Sequence, residues 1–182
     1  IKSILVITYL LLFTFNSIAQ KSERKFKIHT LAFYNLENLF DTINDINKND
    51  EASPIMEIKF NRSGIYKQKI ANMAKVISEI GYDVTNRPPT IVGICEVENR
   101  KVVEDLISDE KLKNYNYGIV HYESPDDRGI DVGLIFNKDV FKVKNSNSHD
   151  VFITGNNSSK RRNTRDQLIV SGLLDGELIH II

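Results

Sequence analysis

The sequence predicts a layered α/β fold, on three observations. Apolar runs of strand length recur from residue 27 to residue 182. One stretch, residues 65–80, carries its apolar residues at helical spacing. The order reads strand, helix, strand, helix, then a run of strands, the pattern of a sheet with helices packed on it.

The first strand is expected over residues 27–34, where Ile28, Thr30 and Ala32 alternate against His29, Leu31 and Phe33. Neither set is clearly polar, so this strand is expected to be covered on both faces. Residues 35–40 form its exit. Residues 41–63 are rich in Asn and Asp, contain Pro54 and read as a long loop. In the helix over 65–80, Tyr66, Ile70, Met73, Ala74 and Ile77 share one apolar face, while Lys67, Lys69, Asn72 and Lys75 lie mostly elsewhere. Gly81 is a natural stop.

The turn-rich Asn86-Arg87-Pro88-Pro89 leads into a short apolar strand over 90–97 that ends in acid. Residues 101–107 predict a short helix with Val102, Val103, Leu106 and Ile107 inward. Five further strands are expected at 115–122, 131–136, 140–144, 166–174 and 178–182. Gly118, Gly133 and Gly172 weaken individual strands and mark close packing or bulges. Residues 145–165, polar around Val151-Phe152-Ile153, read as a loop between strands.

Of the 182 residues, 24 are basic and 24 acidic. A zero balance argues against a strongly basic, non-specific nucleic-acid binder, but not against a site that holds phosphate locally. Residues 1–19 read as a signal peptide: Lys2 is a short positive region, residues 4–15 are apolar, and Ser17 and Ala19 are small residues suited to cleavage before Gln20. The alternative is an N-terminal membrane anchor; with cleavage, the remainder is not an integral membrane protein. The expected location is the periplasm or outside a bacterial cell. Cys95 is the sole cysteine, which excludes an intrachain disulfide, and its apolar surroundings make it a small buried hydrophobe. The apolar run 177–182 reads as a buried strand, so residues 20–182 are expected to be the N-terminal part of a longer domain, inactive and unstable alone.

Chemistry concentrates at two strand exits. One is Tyr34-Asn35-Leu36-Glu37-Asn38-Leu39-Phe40; the other is Ile94-Cys95-Glu96-Val97-Glu98-Asn99. Ligands of layered α/β proteins bind at strand ends. A carboxylate at the end of a buried strand is costly unless it is paired or binds a cation, and Glu96 suits a hard cation such as Mg2+. The plainer reading of Glu96 is a solvated or ion-paired acid.

Taken in order, these two exits resemble the opening of the endonuclease/exonuclease/phosphatase superfamily, which includes deoxyribonuclease I. Residues 122–136, with Arg128-Gly129 before an apolar strand, and Thr164-Arg165 before the next strand resemble later family segments. The likeness spans residues 27–182 and is nearest to an exported subgroup of Bacteroidetes-type bacteria with Asn-Leu-Glu-Asn-Leu-Phe-Asp near its start. Cys95 departs from the Gln common at that position.

The resemblance implies a deoxyribonuclease I-like four-layer sandwich, two packed sheets flanked by helices, of which this chain supplies part. It also implies a phosphodiesterase, nuclease or phosphatase that uses Mg2+ or Mn2+. Glu96 resembles the metal ligand and Asn35 the asparagine supporting metal and phosphate; Glu37 lies where some members place a metal-proximal acid. Arg165 resembles a phosphate contact. Arg128 and Asp131 are further substrate-binding candidates, with a plain turn as the alternative for Arg128. Arg161-Arg162 could add a basic rim but read more simply as a solvated loop, and His121 and His180 read as structural. The general acid–base His and Asp of the family would fall after Ile182. The substrate is expected to be a nucleic acid, nucleotide, phospholipid or sugar phosphate, with no stable protein partner implied. A non-catalytic exported binding module of the same fold is the alternative function.

Overall fold

A computed structural model describes residues 26–45, 48, 50–154 and 160–182. The expected signal peptide and its cleavage site lie outside these residues. Nine strands are present among them: β1 (Leu31–Leu39), β2 (Ile91–Val97), β3 (Tyr117–His121), β4 (Asp131–Asn137), β5 (Phe141–His149), β6 (Ile153–Thr154), β7 (Arg161–Arg162), β8 (Gln167–Leu174) and β9 (Glu177–Ile181). Two helices of at least two turns accompany them, α1 (Arg62–Glu79) and α2 (Arg100–Ile107).

The first sheet has the order β1-β2-β4-β3. β1 and β2 run parallel, with α1 between them in sequence, while β4 is antiparallel to both β2 and β3. The carboxyl ends of β1, β2 and β3 and the amino end of β4 therefore meet at one edge. The second sheet, β5-β8-β9, is antiparallel throughout, and β6 pairs with β7 in a small ribbon.

Strand alternation divides the core. Val92, Ile94 and Ile135 face the helices and pack with Ile70, Ala74 and Ile77 of α1 and Val102, Val103 and Leu106 of α2. Ile91, Leu134 and Phe136 face the other way, onto Phe141 and Val170 of the second sheet. The architecture is α/β, with helices, first sheet and second sheet as successive layers. Among the described residues no helix of two turns or more lies on the outer face of the second sheet, so three of the four expected layers are on view.

The α1 face is the one the spacing predicts: Ile70, Ala74 and Ile77 are buried, and Tyr66 and Met73 pack at its margin. Asn99 caps α2, its side chain accepting from the Val102 N–H at 3.1 Å. Close packing accounts for two of the strand glycines. A Cβ on Gly118 would lie 2.6 Å from the Phe136 ring, and one on Gly172 would overlap the ring of Phe141.

Three expectations change. β1 begins at Leu31 and runs through the supposed exit to Leu39, and one of its faces is open, with Phe33 70% exposed. β5 extends to His149, absorbing residues 145–149 that read as loop. Its polar Asn145, Ser146, Asn147 and Ser148 are tolerated because β5 is an edge strand, where backbone pairing to β8 holds the chain without an apolar face. The 41–63 loop contains a one-turn helix at Pro54–Glu57, where proline fits the first turn.

Candidate active site at the strand exits

Both parallel strands break their register where the chemistry lies. The β1–β2 pairing shifts between Asn35 and Leu39, and the β2–β4 pairing between Cys95 and Val97. Glu37, Asn38 and Glu96 take the left-handed conformation, with φ of 51°, 56° and 61°. That conformation costs a non-glycine residue roughly 1–2 kcal/mol. Bulges of this kind re-aim side chains and recur beside active sites.

Local bonds hold the first bend. The Asn35 carboxamide oxygen accepts from the Glu37 N–H at 2.7 Å. From the helix side, the Lys69 ammonium donates to the carbonyls of Glu37 at 2.5 Å and Asn38 at 3.1 Å. Burial pushes the Lys69 ammonium down, while the charges of Glu37 and Glu96 oppose that shift. Among the described residues no hydrogen bond or ion pair engages the Glu37 or Glu96 carboxylate, although both act on Lys69 through space. Asn35 and Glu37 are exposed and Glu96 half-buried. Glu37 and Glu96 are oxygen donors of the kind a hard cation takes, and such an ion keeps most of its waters and needs only one or two carboxylates.

Arg165 approaches the same edge from the segment before β8. Its Nη1 donates to Asp126 Oδ2 at 3.2 Å. Burial pushes the Cys95 thiol up, the neighbouring Glu96 adds to the rise, and the Arg165 charge opposes it. Arg165 is thus electrostatically coupled to the end of β2. Arg128 holds the other oxygen of Asp126, Nε to Oδ1 at 3.4 Å, and its backbone N–H reaches the same oxygen at 2.9 Å. The Asp126 side chain is only 5% exposed, so one buried carboxylate orients two guanidiniums.

Asp131 is placed differently. It is 2% exposed, and its Oδ1 accepts from the N–H and the hydroxyl of Ser124, at 2.8 and 2.7 Å. It is therefore buried and anchors the loop that carries Asp126. Arg161 pairs with Asp150 and lies over the Phe152 ring, 5.6 Å from its centroid. His180 Nδ1 meets Ser171 Oγ at 2.7 Å.

Beside the exits, Glu98 is buried and its carboxyl is pushed up to about 7, first by burial and then by the charges of Asp41 and Asp50. The Asp41 N–H, donating to its Oε2 at 2.7 Å, and the Lys48 charge act in the opposite direction. Burial draws the Lys48 ammonium down, but its bond to Glu123 and the charges of Glu123, Asp131 and Glu98 raise it on balance.

Sequence reasoning did not single out Lys69, Asp126 or Glu98. For Lys69 the one signal was its place bordering the apolar stripe of α1, next to Ile70. For Asp126 there was none beyond proximity to Arg128-Gly129.

The family model for the endonuclease/exonuclease/phosphatase family matches residues 30–182, and the protein belongs to that family. No curated protein matches the sequence. Among the similar solved structures are three of low identity. ANGEL2, described as a 2′,3′-cyclic phosphatase, shares 12% identity at a TM-score of 0.47, over 80% of this chain and 37% of its own. A humanized TDP2 from D. rerio shares 16% at 0.43, over 81% and 43%. An endonuclease/exonuclease/phosphatase from Bacteroides vulgatus shares 16% at 0.44, over 82% and 48%. The chain spans less than half the length of each.

Proposed function

We propose that the full-length protein is an exported, divalent-metal-dependent phosphoester hydrolase. The observation that carries this reading is the meeting, at one sheet edge, of two bent strand exits bearing Asn35, Glu37 and Glu96 with the guanidinium of Arg165. Export rests on the leader pattern of residues 1–19.

Glu96 would hold Mg2+ or Mn2+, with Asn35 and Glu37 beside it. The bound ion would neutralise charge on the phosphoryl oxygens. Arg165 presents a planar fork of donors that matches phosphate oxygens, and Asp126 holds that fork from behind. Arg128, 56% exposed and tied to the same carboxylate, can meet a more distal part of the substrate. Lys69 keeps the Glu37–Asn38 carbonyls in place and so maintains the bend on which Asn35 and Glu37 sit. The substrate is a phosphodiester or phosphomonoester. Equal numbers of basic and acidic residues favour a phosphate gripped locally over a long duplex held by charge.

The test is turnover of bis(4-nitrophenyl) phosphate and of 4-nitrophenyl phosphate by the full-length protein with Mg2+. Glu96→Ala is expected to lower the rate at least tenfold, about 1.4 kcal/mol in barrier. An unchanged rate removes Glu96 from the site. Mg2+ binding without turnover of any phosphoester would favour the non-catalytic binding module.

A further inference from the structure

A second group of ligand atoms lies at the same sheet edge but shares no residue with the strand-exit site. His121 closes β3, Asp131 opens β4, and Glu123 lies two residues past His121. One ligand atom from each lies within 4.8 Å of the other two.

Proximity of acids is common and proves nothing; the desolvated atoms are the second observation. The side chains of His121 and Asp131 are 3% and 2% exposed, and His121 Nε2 lies 3.2 Å from Asp131 Oδ2. Neither atom makes a hydrogen bond, to the other or to anything else. The two atoms stand at ion-pair distance without hydrogen-bond geometry between them. A buried polar atom left without a hydrogen bond is costly, and here two such atoms lie 3.2 Å from each other.

Their spacing is that of two ligands of one ion. Atoms each about 2.1 Å from a common centre and 3.2 Å apart subtend roughly 100° at it, close to the tetrahedral angle of zinc sites. Asp131 is held for this role. Ser124 occupies its Oδ1 with two hydrogen bonds and leaves Oδ2 unengaged, the arrangement in which a neighbouring donor orients a metal ligand. Glu123, 56% exposed, supplies a ligand that can move. A cavity of about 410 Å³, lined in part by Lys48, Glu123, Ser124, Gly129 and Asp131, gives access. The ammonium of Lys48 lies in this cavity, bonded to Glu123 and to the Glu98 carbonyl, so a cation held by Glu123 would have to displace it from that carboxylate.

We propose that His121, Glu123 and Asp131 form a binding site for a divalent transition cation, one imidazole nitrogen and two carboxylate oxygens, separate from the Mg2+ site expected at Glu96. That donor set suits Zn2+, Co2+ or Mn2+ more than Mg2+. The ion ties the end of β3 to the start of β4 and braces the intervening loop, which carries Asp126 and through it Arg165.

Co2+ is the probe, titrated into the full-length protein and followed by its visible ligand-field bands and by calorimetry. One Co2+ per chain is expected at this site, with its Kd raised at least tenfold in Glu123→Gln and in His121→Gln and unchanged in Glu96→Gln. Glu123 is at the surface, so its variant reports even where His121→Gln does not fold. Absence of Co2+ binding, an unaltered spectrum and Kd in Glu123→Gln, or loss of the signal in Glu96→Gln alone would each overturn the proposal. Because the readout is binding of Co2+ and not turnover, its failure is distinguishable from failure of the hydrolase reading.

Discussion

The ammonium of Lys69 donates to the backbone carbonyl of Glu37 at 2.5 Å, joining the long helix to the bend at the end of β1. A second bond from the same ammonium reaches the Asn38 carbonyl. Two left-handed residues are thus held by one half-buried cation. Lys69→Met keeps the packing of the stem and removes both bonds. It is expected to lower stability by about 1–2 kcal/mol and to raise the Mg2+ concentration needed for half-maximal turnover. Urea denaturation and an Mg2+ titration of the rate check this; an unaltered urea midpoint would show that the bend does not depend on Lys69.

Asp126 holds Arg165 and Arg128 with its two oxygens while itself buried. In Asp126→Asn the charge is gone and an amide group faces one guanidinium. KM for a phosphodiester is expected to rise up to roughly tenfold, about 1.4 kcal/mol, with kcat much less affected, as for a loss of substrate binding common to ground and transition states. Equal falls in kcat and kcat/KM would instead assign Arg165 to transition-state stabilisation.

Glu98 makes stability depend on pH in a defined direction. Its folded-state value, about 7, lies above its ordinary 4.5. The folded state therefore binds this proton more tightly than the unfolded state. The resulting stabilisation is complete below about pH 4.5 and is lost as pH rises through about 7. Its upper bound is on the order of 3 kcal/mol, from 1.36 kcal/mol per unit. Glu98→Gln mimics the protonated form and can still accept from the Asp41 N–H. The variant is expected to flatten the stability profile between pH 5 and 8 and to exceed the native protein at pH 8; denaturation curves at the two pH values decide.

Gly172 faces the buried ring of Phe141 across the β5–β8 pairing. An alanine Cβ there would sit 2.6 Å from Phe141 Cε2 and 2.8 Å from the Lys142 carbonyl oxygen. Backbone cannot yield cheaply on one side, and on the other the ring is enclosed. Gly172→Ala is expected to lower stability by about 1–3 kcal/mol, the usual effect of overpacking. A thermal midpoint equal to that of the native protein would mean that the two sheets can shift apart without penalty.

Much of the fold was legible along the chain. The apolar stripe Tyr66, Ile70, Met73, Ala74, Ile77 places α1 within a few residues of its true ends. The apolar run before Glu96 places β2, and Val102, Val103, Leu106 and Ile107 place α2. β5 was half missed because its later residues are polar on both faces, and hydrophobic period is blind to an edge strand held by backbone pairing. The open face of β1 was missed for a related reason: an apolar sequence records that a face can be covered, not what lies over it.

The sequence by itself determined the order of the longer strands and helices and the chemical character of the two exits, since period and residue type are local properties of the chain, while the short β6–β7 ribbon lay within a stretch that reads as loop. Only the tertiary structure decided how these pieces meet. The bulges that turn Glu37 and Glu96 arise from pairing among β1, β2 and β4. Asp126 reaches Arg165 from 39 residues away, and Lys69 reaches Glu37 from 32. His121 and Asp131 come together because β3 and β4 are antiparallel neighbours. Such meetings depend on strand register and on which helix covers which sheet. Those are set by the whole core at once, and no short stretch of sequence carries them.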